Sequence, residues 1–190
     1  VADTAAPSST SIIINNDNSS TSNTVVTLSL STSDDYGVSA YYISETSTTP
    51  SSSNSGWTSV TSSTNFSSTI SFTLTGASSA GSYSRTVYAW FKDEAGNVSS
   101  SASDEITLII NDTTNPSNPT IIANNGDSST SSTVITLALS ATDNVGITAY
   151  YASENNSTPT SNASGWNSVT SSASYSDNVS FSLASEGSAG

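Results

Sequence analysis

One internal repeat constrains the fold of this chain more than any other feature of its sequence. The segment DTAAP at Asp3 returns as DTTNP at Asp112, and GWTSV around Trp57 returns as GWNSV around Trp166, so each pair is separated by 109 residues. The alignment needs no gap, and about half of the aligned positions are identical. Repetition at a fixed offset indicates an array in which each copy is one folding unit. We therefore predict two domains, residues 1–110 and 111–190.

Within each copy the apolar residues follow the two-residue period of a β-strand. Val26, Leu28 and Leu30 alternate with Thr27 and Ser29, whereas residues 86–91 (TVYAWF) are apolar on both faces, as a central strand would be. The other positions expected to point inward are Val38, Ala40, Tyr42, Val87, Ala89 and Phe91.

No segment of the chain shows a helical period. Each full copy holds about seven short strands separated by turns of Ser, Asn, Asp and Gly, which is typical of a Greek-key sandwich. The predicted fold class is therefore all-β, with tandem Greek-key β-sandwich domains.

The second domain is predicted to be incomplete. Gly190 aligns with Gly81, so no residue aligns with the segment 82–109, which should supply the last two strands. Without them one sheet is split and the core stays open, and open strand edges recruit other strands. We expect either that the chain continues past Gly190 or that a partner chain donates the strands. The first is favoured, because only about ten residues precede the first strand here, too few to donate a hairpin.

The charge of the chain excludes several partners. It carries 15 acidic and 2 basic residues, for a net charge of −13, and Arg85 and Lys92 are its only cations. Binding to nucleic acid or to an anionic membrane needs clustered Lys and Arg, so neither is expected. No apolar run approaches the roughly 18 residues of a membrane span, so no membrane insertion is expected in this segment.

The sequence also argues against catalysis. It contains no Cys and no His, so a Ser–His or Cys–His nucleophile cannot form, and we predict that this segment is not an enzyme. A surface rich in Ser, Thr and Asn and nearly free of Lys favours an extracellular or cell-surface location.

Several motifs resemble the bacterial immunoglobulin-like repeats of giant surface adhesins, fibrous surface proteins and multidomain secreted proteins. In the first copy they are DTAAP (Asp3–Pro7), DDYGV (Asp34–Val38) and VYAWFKDEAGNVS (Val87–Ser99). The second copy matches with DTTNP from Asp112 and DNVGI from Asp143. The resemblance implies an immunoglobulin-like fold in which the domains act as spacers, stalks or lattice units.

Acidic and amide residues are expected to gather at one end of each sandwich. In this topology the segment that enters the domain at Asp3–Pro7, the entry segment, lies there with the two loops that hold Asp34 and Asp93. Oxygen ligands from several loops are what Ca²⁺ requires. The candidate metal ligands are Asp3, Asp34, Asp35, Asp93, Asn97, Asp112, Asp143 and Asn144. The resemblance to Ca²⁺-stiffened adhesin repeats implies calcium at the joint between domains. The alternative is that these residues are ordinary turn formers, and Asn144 also lowers the charge of the second site.

Sugars are a further class of ligand. Tyr41, Trp57 and Trp90 could lie outward on one sheet and stack on sugar rings, with Tyr150 and Trp166 repeating the platform, although structural burial explains these aromatic residues more simply. No sugar-binding residue is assigned from the sequence. Glycans are candidate modifications, since N-x-S/T sequons begin at Asn18, Asn65, Asn97, Asn111, Asn155, Asn156, Asn162 and Asn178. That number is close to what chance gives in so Ser- and Thr-rich a chain.

We interpret the chain as a structural repeat of a bacterial extracellular fibre, filament or adhesin stalk. Its partners would be neighbouring repeats of the same chain or other copies. Short joints with Pro7 and Pro116 would limit bending, because proline fixes a backbone angle. The alternative is a spacer or carbohydrate-binding module of a secreted polysaccharide-degrading enzyme.

Overall fold

The computed structural model of the chain describes residues 3–184, and its regular structure is almost entirely β-strand. The all-β class predicted from the alternating sequence is confirmed. The chain divides into two compact units, Val1–Asn111 and Asp112–Gly190, which we call unit 1 and unit 2. Within residues 3–184, no helix has the length and apolar character needed to cross a membrane.

Unit 1 forms one six-stranded sheet. Its strands are β1 (Ser8–Ile14), β2 (Ser20–Thr21), β3 (Val25–Ser44), β4 (Thr58–Thr73), β5 (Gly81–Asp93) and β6 (Ala102–Ile110), with a 3-10 turn at Asn15–Asp17. The pairing order is β1-β3-β5-β6-β2, and β4 pairs with β3. The sheet curls around one core, an arrangement consistent with a β-sandwich.

The strand β3 organises unit 1 because it pairs with three others. Its first half pairs with β1 and its second half with β5, while β4 follows it along most of its length. We predicted separate strands around residues 26–30 and 38–42, and this was wrong. The register shifts between Ser33 and Val38 without ending the strand. Asp34 Oδ1 accepts the backbone N–H groups of Tyr36 (3.0 Å) and Gly37 (2.8 Å), so a hydrogen-bonded bend replaces a loop.

A second register shift reverses the expected facing of the tyrosines. It lies between Val38 and Ala40, and one extra residue in a strand turns every later side chain to the opposite face. Tyr41 therefore packs against the core, whereas Tyr42 contacts two tryptophans away from it. The prediction that Tyr42 points inward, with Tyr41 outward, was wrong for this reason.

The core of unit 1 draws on every long strand. It comprises Ile12, Ile14, Val26, Leu28, Leu30, Val38, Phe66, Leu74, Val87, Ala89, Phe91 and Ile106. The predicted inward positions Val87, Ala89 and Phe91 are confirmed as buried. Since β5 and β6 contribute four of these twelve residues, the β5–β6 hairpin is a principal part of the core.

Unit 2 forms a three-stranded sheet in the order β7-β8-β9. Its strands are β7 (Ser117–Ala123), β8 (Val134–Tyr150) and β9 (Asn167–Ser182), with a 3-10 turn at Asn124–Gly126. They correspond to β1, β3 and β4 of unit 1, and the paired registers match at the 109-residue offset.

Unit 2 repeats the local contacts of unit 1 as well as its strands. Asn15 Oδ1 accepts the N–H of Thr27 at 2.8 Å, and Asn124 Oδ1 accepts the N–H of Thr136 at 3.0 Å. Both asparagines have positive φ, a backbone region that Asn tolerates better than most residues. The same side chains therefore set the same turns in both copies.

Without counterparts of β5 and β6 in residues 112–184, unit 2 leaves its apolar face exposed. Ile12 in β1 is 5% exposed, whereas its counterpart Ile121 in β7 is 62% exposed. Completion of the second domain by further strands stays a prediction.

Truncation of Leu28 tests the assigned core of unit 1. We expect Leu28→Ala to lower the free energy of unfolding by about 2–5 kcal/mol, because it removes buried methyl groups and leaves a cavity. Val25→Ala in the same strand is the control, and its cost should stay below about 1 kcal/mol because Val25 is exposed. Urea unfolding followed by the amide signals of unit 1 measures both. Equal losses for the two variants would contradict this core.

Candidate cation site

The candidate site of unit 1 is built on the bend in β3. Asp34 is only 8% exposed, although it is a carboxylate at a bend. Its Oδ1 is satisfied by the two backbone N–H groups of the bend, and this fixes the side chain. Its Oδ2 is screened from solvent and accepts no hydrogen bond from any residue that the structure describes. A buried carboxylate oxygen without a protein partner is costly unless water or an ion satisfies it.

Two further carboxylates approach Asp34. Asp3, Asp34 and Asp35 each offer one oxygen, and these three atoms lie within 4.8 Å of one another. Asp3 Oδ1 accepts the N–H of Ala5 at 3.0 Å, while Asp3 Oδ2 is screened and unpartnered among the described residues. Asp34 and Asp35 also line a concavity of about 460 Å³ together with the entry segment. Three like charges at this distance repel unless a cation or proton lies between them.

Asp93 and Asn97 have a different part in the same region. The Asp93 side chain is buried, its Oδ1 accepts the N–H of Asn97 (2.8 Å), and its Oδ2 accepts the side-chain amide of Asn97 (2.7 Å). That amide also donates to the backbone oxygens of Asp3 (3.4 Å) and Ala5 (3.1 Å). Both oxygens of Asp93 are thus engaged, and the pair ties the entry segment to the turn after β5.

The sequence suggested Asp93 and Asn97 as metal ligands, and these contacts give them another role. Asp93 and Asn97 lie near the cluster as expected, but they position Asp3 rather than join the group of three carboxylates. The hydrogen bonds of Asn97 also occupy the nitrogen to which an N-linked glycan would attach, so the folded unit disfavours glycosylation at this sequon.

In unit 2 an amide takes the place of one of the three carboxylates. Asp143 Oδ1 accepts the N–H groups of Val145 (2.8 Å) and Gly146 (2.7 Å), as Asp34 does in unit 1. At the position of Asp35 stands Asn144, whose amide donates to Asp112 Oδ1 at 3.2 Å. Asp143 Oδ2 remains screened and unpartnered among the described residues. Unit 2 therefore gathers two carboxylates and one amide where unit 1 gathers three carboxylates.

The bonds to Asp112 stabilise its charged form. The backbone N–H of Thr114 and then the side-chain amide of Asn144 lower the pKa of Asp112 below its ordinary value. Sequence alone suggested that Asn144 reduces the charge of this site. The hydrogen bond by which Asn144 satisfies Asp112 depends on the fold and was not predicted.

The aromatic residues of unit 1 form packing contacts rather than an open platform. Trp90 is fully buried, with its ring 6.0 Å from each of Tyr42 and Tyr88, so its proposed role in stacking on sugar rings was wrong. Trp57 is half-buried; its Nε1 donates to Ser51 O at 2.8 Å, and Lys92 Nζ lies 4.9 Å from its ring centre. These contacts hold the loop before β4 against the sheet.

Comparison of the chain with protein-family models, with curated proteins and with solved structures found no match. The chemistry of the site therefore rests on its own geometry. Two carboxylates with screened, unpartnered oxygens, Asp3 and Asp34, and the exposed carboxylate of Asp35 form a donor set that fits a hard cation, for which oxygen ligands are preferred. Such a cation would complete its shell of about six to eight oxygens with carbonyl groups and water.

Removal of the Asn144 amide tests the account of Asp112. We expect Asn144→Ala to raise the pKa of Asp112 towards its ordinary value, but only in part, because the bond from Thr114 remains. In the wild type the folded pKa is depressed, so the stabilisation is present above the unfolded pKa and is lost as pH falls through the folded pKa. An NMR titration of the Asp112 carboxyl carbon measures this. Asn156→Ala, at an exposed position, should leave the titration unchanged, and an equal shift in both variants would refute the role of Asn144.

Proposed function

We propose that this chain is a structural protein, a tandem repeat of immunoglobulin-like Greek-key units in a bacterial extracellular fibre, filament or adhesin stalk. The observation that carries the proposal is that the two units repeat their scaffold down to individual hydrogen bonds. The Asp34 bend, the Asn15 turn and the Trp57 indole contact all return at the 109-residue offset. Repeated units that each contain their own scaffold suit a protein whose action is additive and mechanical.

The surface of the chain supports this interpretation. Outward positions of the strands are largely Ser and Thr, and only 9% of all residues are charged. Such faces allow close packing of neighbouring repeats or copies, while the net charge of −13 opposes contact with anionic partners. We propose neighbouring repeats or other copies of the chain as its partners, at a cell surface or outside the cell, with glycans on exposed Asn, Ser or Thr.

The second candidate is a spacer or carbohydrate-binding module of a secreted polysaccharide-degrading enzyme. One observation favours it, since the rings of Tyr151 and Trp166 lie 5.6 Å apart and both are partly exposed in unit 2. In unit 1 the equivalent pair, Tyr42 and Trp57, is covered by Trp90 and Lys92 of β5. The exposure in unit 2 thus follows from an uncovered face, and we rank the carbohydrate module second. For neither candidate do we propose that this segment catalyses a reaction.

We further propose that Asp3, Asp34 and Asp35 bind Ca²⁺. The support is the pair of screened, unpartnered oxygens on Asp3 and Asp34 beside a third carboxylate. A bound ion would supply the positive charge that links the entry segment to the bend in β3. The weaker site of unit 2 would involve Asp112 and Asp143, with Asn144 in place of one charge.

Exchanging the residues at the equivalent positions 35 and 144 of the two units tests the calcium proposal. Millimolar Ca²⁺ should raise the Tm of unit 1 by roughly 5 °C or more relative to EDTA, because a ligand that binds only the folded state stabilises it. Asp35→Asn should remove most of that rise while unit 1 stays folded, since its amide can bond Asp3 as Asn144 bonds Asp112. The reciprocal Asn144→Asp should make unit 2 more responsive to Ca²⁺.

The control for that exchange is Asp17→Asn, which removes one exposed charge outside the cluster. Calorimetry of all four proteins with Ca²⁺, Mg²⁺ and EDTA separates site binding from general screening. A wild type indifferent to Ca²⁺, or an equal loss in the control, would remove calcium from the proposal.

Electron microscopy of the native source material, with and without chelator, tests the structural role. Continuous filaments whose axial repeat matches one or two domain lengths are expected. Isolated soluble particles would contradict a fibre. Affinity electrophoresis of the chain against a panel of polysaccharides tests the alternative, and retardation that is lost in Trp166→Ala would favour the carbohydrate-binding module.

A further inference from the structure

Unit 2 carries an apolar groove that unit 1 does not leave open. The groove has a volume of about 460 Å³, and apolar side chains from all three strands of the unit dominate its lining. We call this surface the open face and define it by Ile121, Leu139, Ile147, Tyr150 and Tyr175. Large exposed apolar surfaces mark interaction sites.

Unit 1 shows what covers the equivalent surface. There the side chains of Val87, Ala89 and Phe91 from β5 and Ile106 from β6 complete the core. The rings of Phe91 and Phe66 lie 6.0 Å apart. At the position of Phe66 unit 2 has Tyr175, which stacks on Tyr150 with ring centres 6.3 Å apart and faces no counterpart of β5 among the described residues.

The strand β8 of unit 2 also has an edge to which a further strand could pair. In unit 1, residues 40–44 of β3 pair with residues 88–92 of β5. In unit 2, residues 147–150 of β8 pair only with β9 among the described strands, and the equivalent residues 151–153 belong to no strand there. Unpaired N–H and C=O groups along a strand edge are a template for another strand.

In unit 1 the strand β6 makes further contacts with β1 and β2, and their equivalents in unit 2 form a second edge. The N–H of Ile14 at the end of β1 donates to Asp104 Oδ2 at 2.7 Å, and β2 pairs with residues 107–108 of β6. In unit 2 the residues equivalent to β2, Ser129 and Thr130, lie outside the strands of the described chain. A single added strand would satisfy the β8 edge but not this one.

The face of the sheet that points away from the core also restricts which strand can bind at the β8 edge. In unit 1, Trp90 lies against Tyr42, and Lys92 Nζ lies over the ring of Trp57. In unit 2, the counterparts Tyr151 and Trp166 are both partly exposed, Trp166 to 38%. A strand entering here must therefore present apolar residues to the core and aromatic and cationic residues to the other side.

We infer that the open face of unit 2 binds a two-stranded antiparallel β-hairpin whose sequence follows the pattern of Gly81–Ile110. Its first strand places alternate apolar residues on the groove and a Trp and a Lys over Tyr151 and Trp166. Its second strand completes the edge at β7 and at residues 129–130. A sugar or a small apolar ligand would fill the groove but leave both backbone edges unpaired. Docking of this hairpin requires neither calcium nor assembly into a fibre.

The test supplies the hairpin to the full chain in two ways. In the first, a copy of residues 82–110 follows Gly190 directly, which is the register that the alignment of Gly190 with Gly81 gives. In the second, a synthetic peptide of residues 81–110 is added to the unmodified chain. We expect amide hydrogen exchange at residues 147–153 to slow at least a hundredfold, and the emission of Trp166 to shift to shorter wavelength.

The matched control is the same added hairpin with Val87→Asp and Phe91→Asp in the added copy, which should give no protection. The strand β3 of unit 1 is an internal control, because its edge is already paired with β5. The peptide arm decides the outcome if the fused chain aggregates.

Three results would overturn the inference. The first is unchanged exchange at residues 147–153 in both arms. The second is equal protection by the Asp-bearing hairpin. The third is a dimer of the unmodified chain by light scattering that already protects these amides and is dispersed by Ile121→Asp, which would assign the open face to a second copy of the chain.

Discussion

The structure depends on one constraint, which is that the apolar face of a β-sheet must be covered. In unit 1 the β5–β6 hairpin meets this constraint, because it inserts Val87, Ala89 and Phe91 against β1 and β3 and pairs with the free half of β3. A single hairpin thus supplies core volume and backbone hydrogen bonds together. The described residues of unit 2 form counterparts of β1, β3 and β4 only, and Ile121 is exposed to solvent. Among residues 112–184 the local turn and strand contacts match those of unit 1, although these residues supply no counterpart of β5 or β6.

The bend in β3 couples the shape of the sheet to the chemistry of the candidate site. Asp34 accepts two backbone N–H groups and so allows β3 to change partners from β1 to β5 without ending. Gly37, at a φ of +123°, provides a backbone conformation that other residues rarely adopt. The same bend holds the free oxygen of Asp34 beside Asp3 and Asp35. A cation there would bind to a feature that the sheet already needs in order to curl.

The sequence predicted which residues gather at the candidate site but not what each of them contacts. The entry segment and two turns each carry acidic or amide residues, and from this we predicted that these residues lie close together. Asp3, Asp34 and Asp35 do lie close together. Sequence could not show that Asp93 is saturated by Asn97, because that depends on the angles of a buried turn. The pairing of an amide with a carboxylate in unit 2 likewise follows from spatial proximity across 32 residues, which no local pattern encodes.

By itself the sequence determined the repeat, the all-β class and the inward positions of β5. These properties follow from side-chain period and from alignment of the chain with itself, which need no knowledge of contacts. Tertiary structure alone decided which way the tyrosines of β3 face, because one extra residue after Val38 turns Tyr41 to the core. It also decided that Trp90 is buried on the side away from the core, where Tyr42 and Tyr88 cover it. Register shifts and packing between distant segments are cooperative outcomes of the whole sheet, and for that reason the two-residue period could not give them.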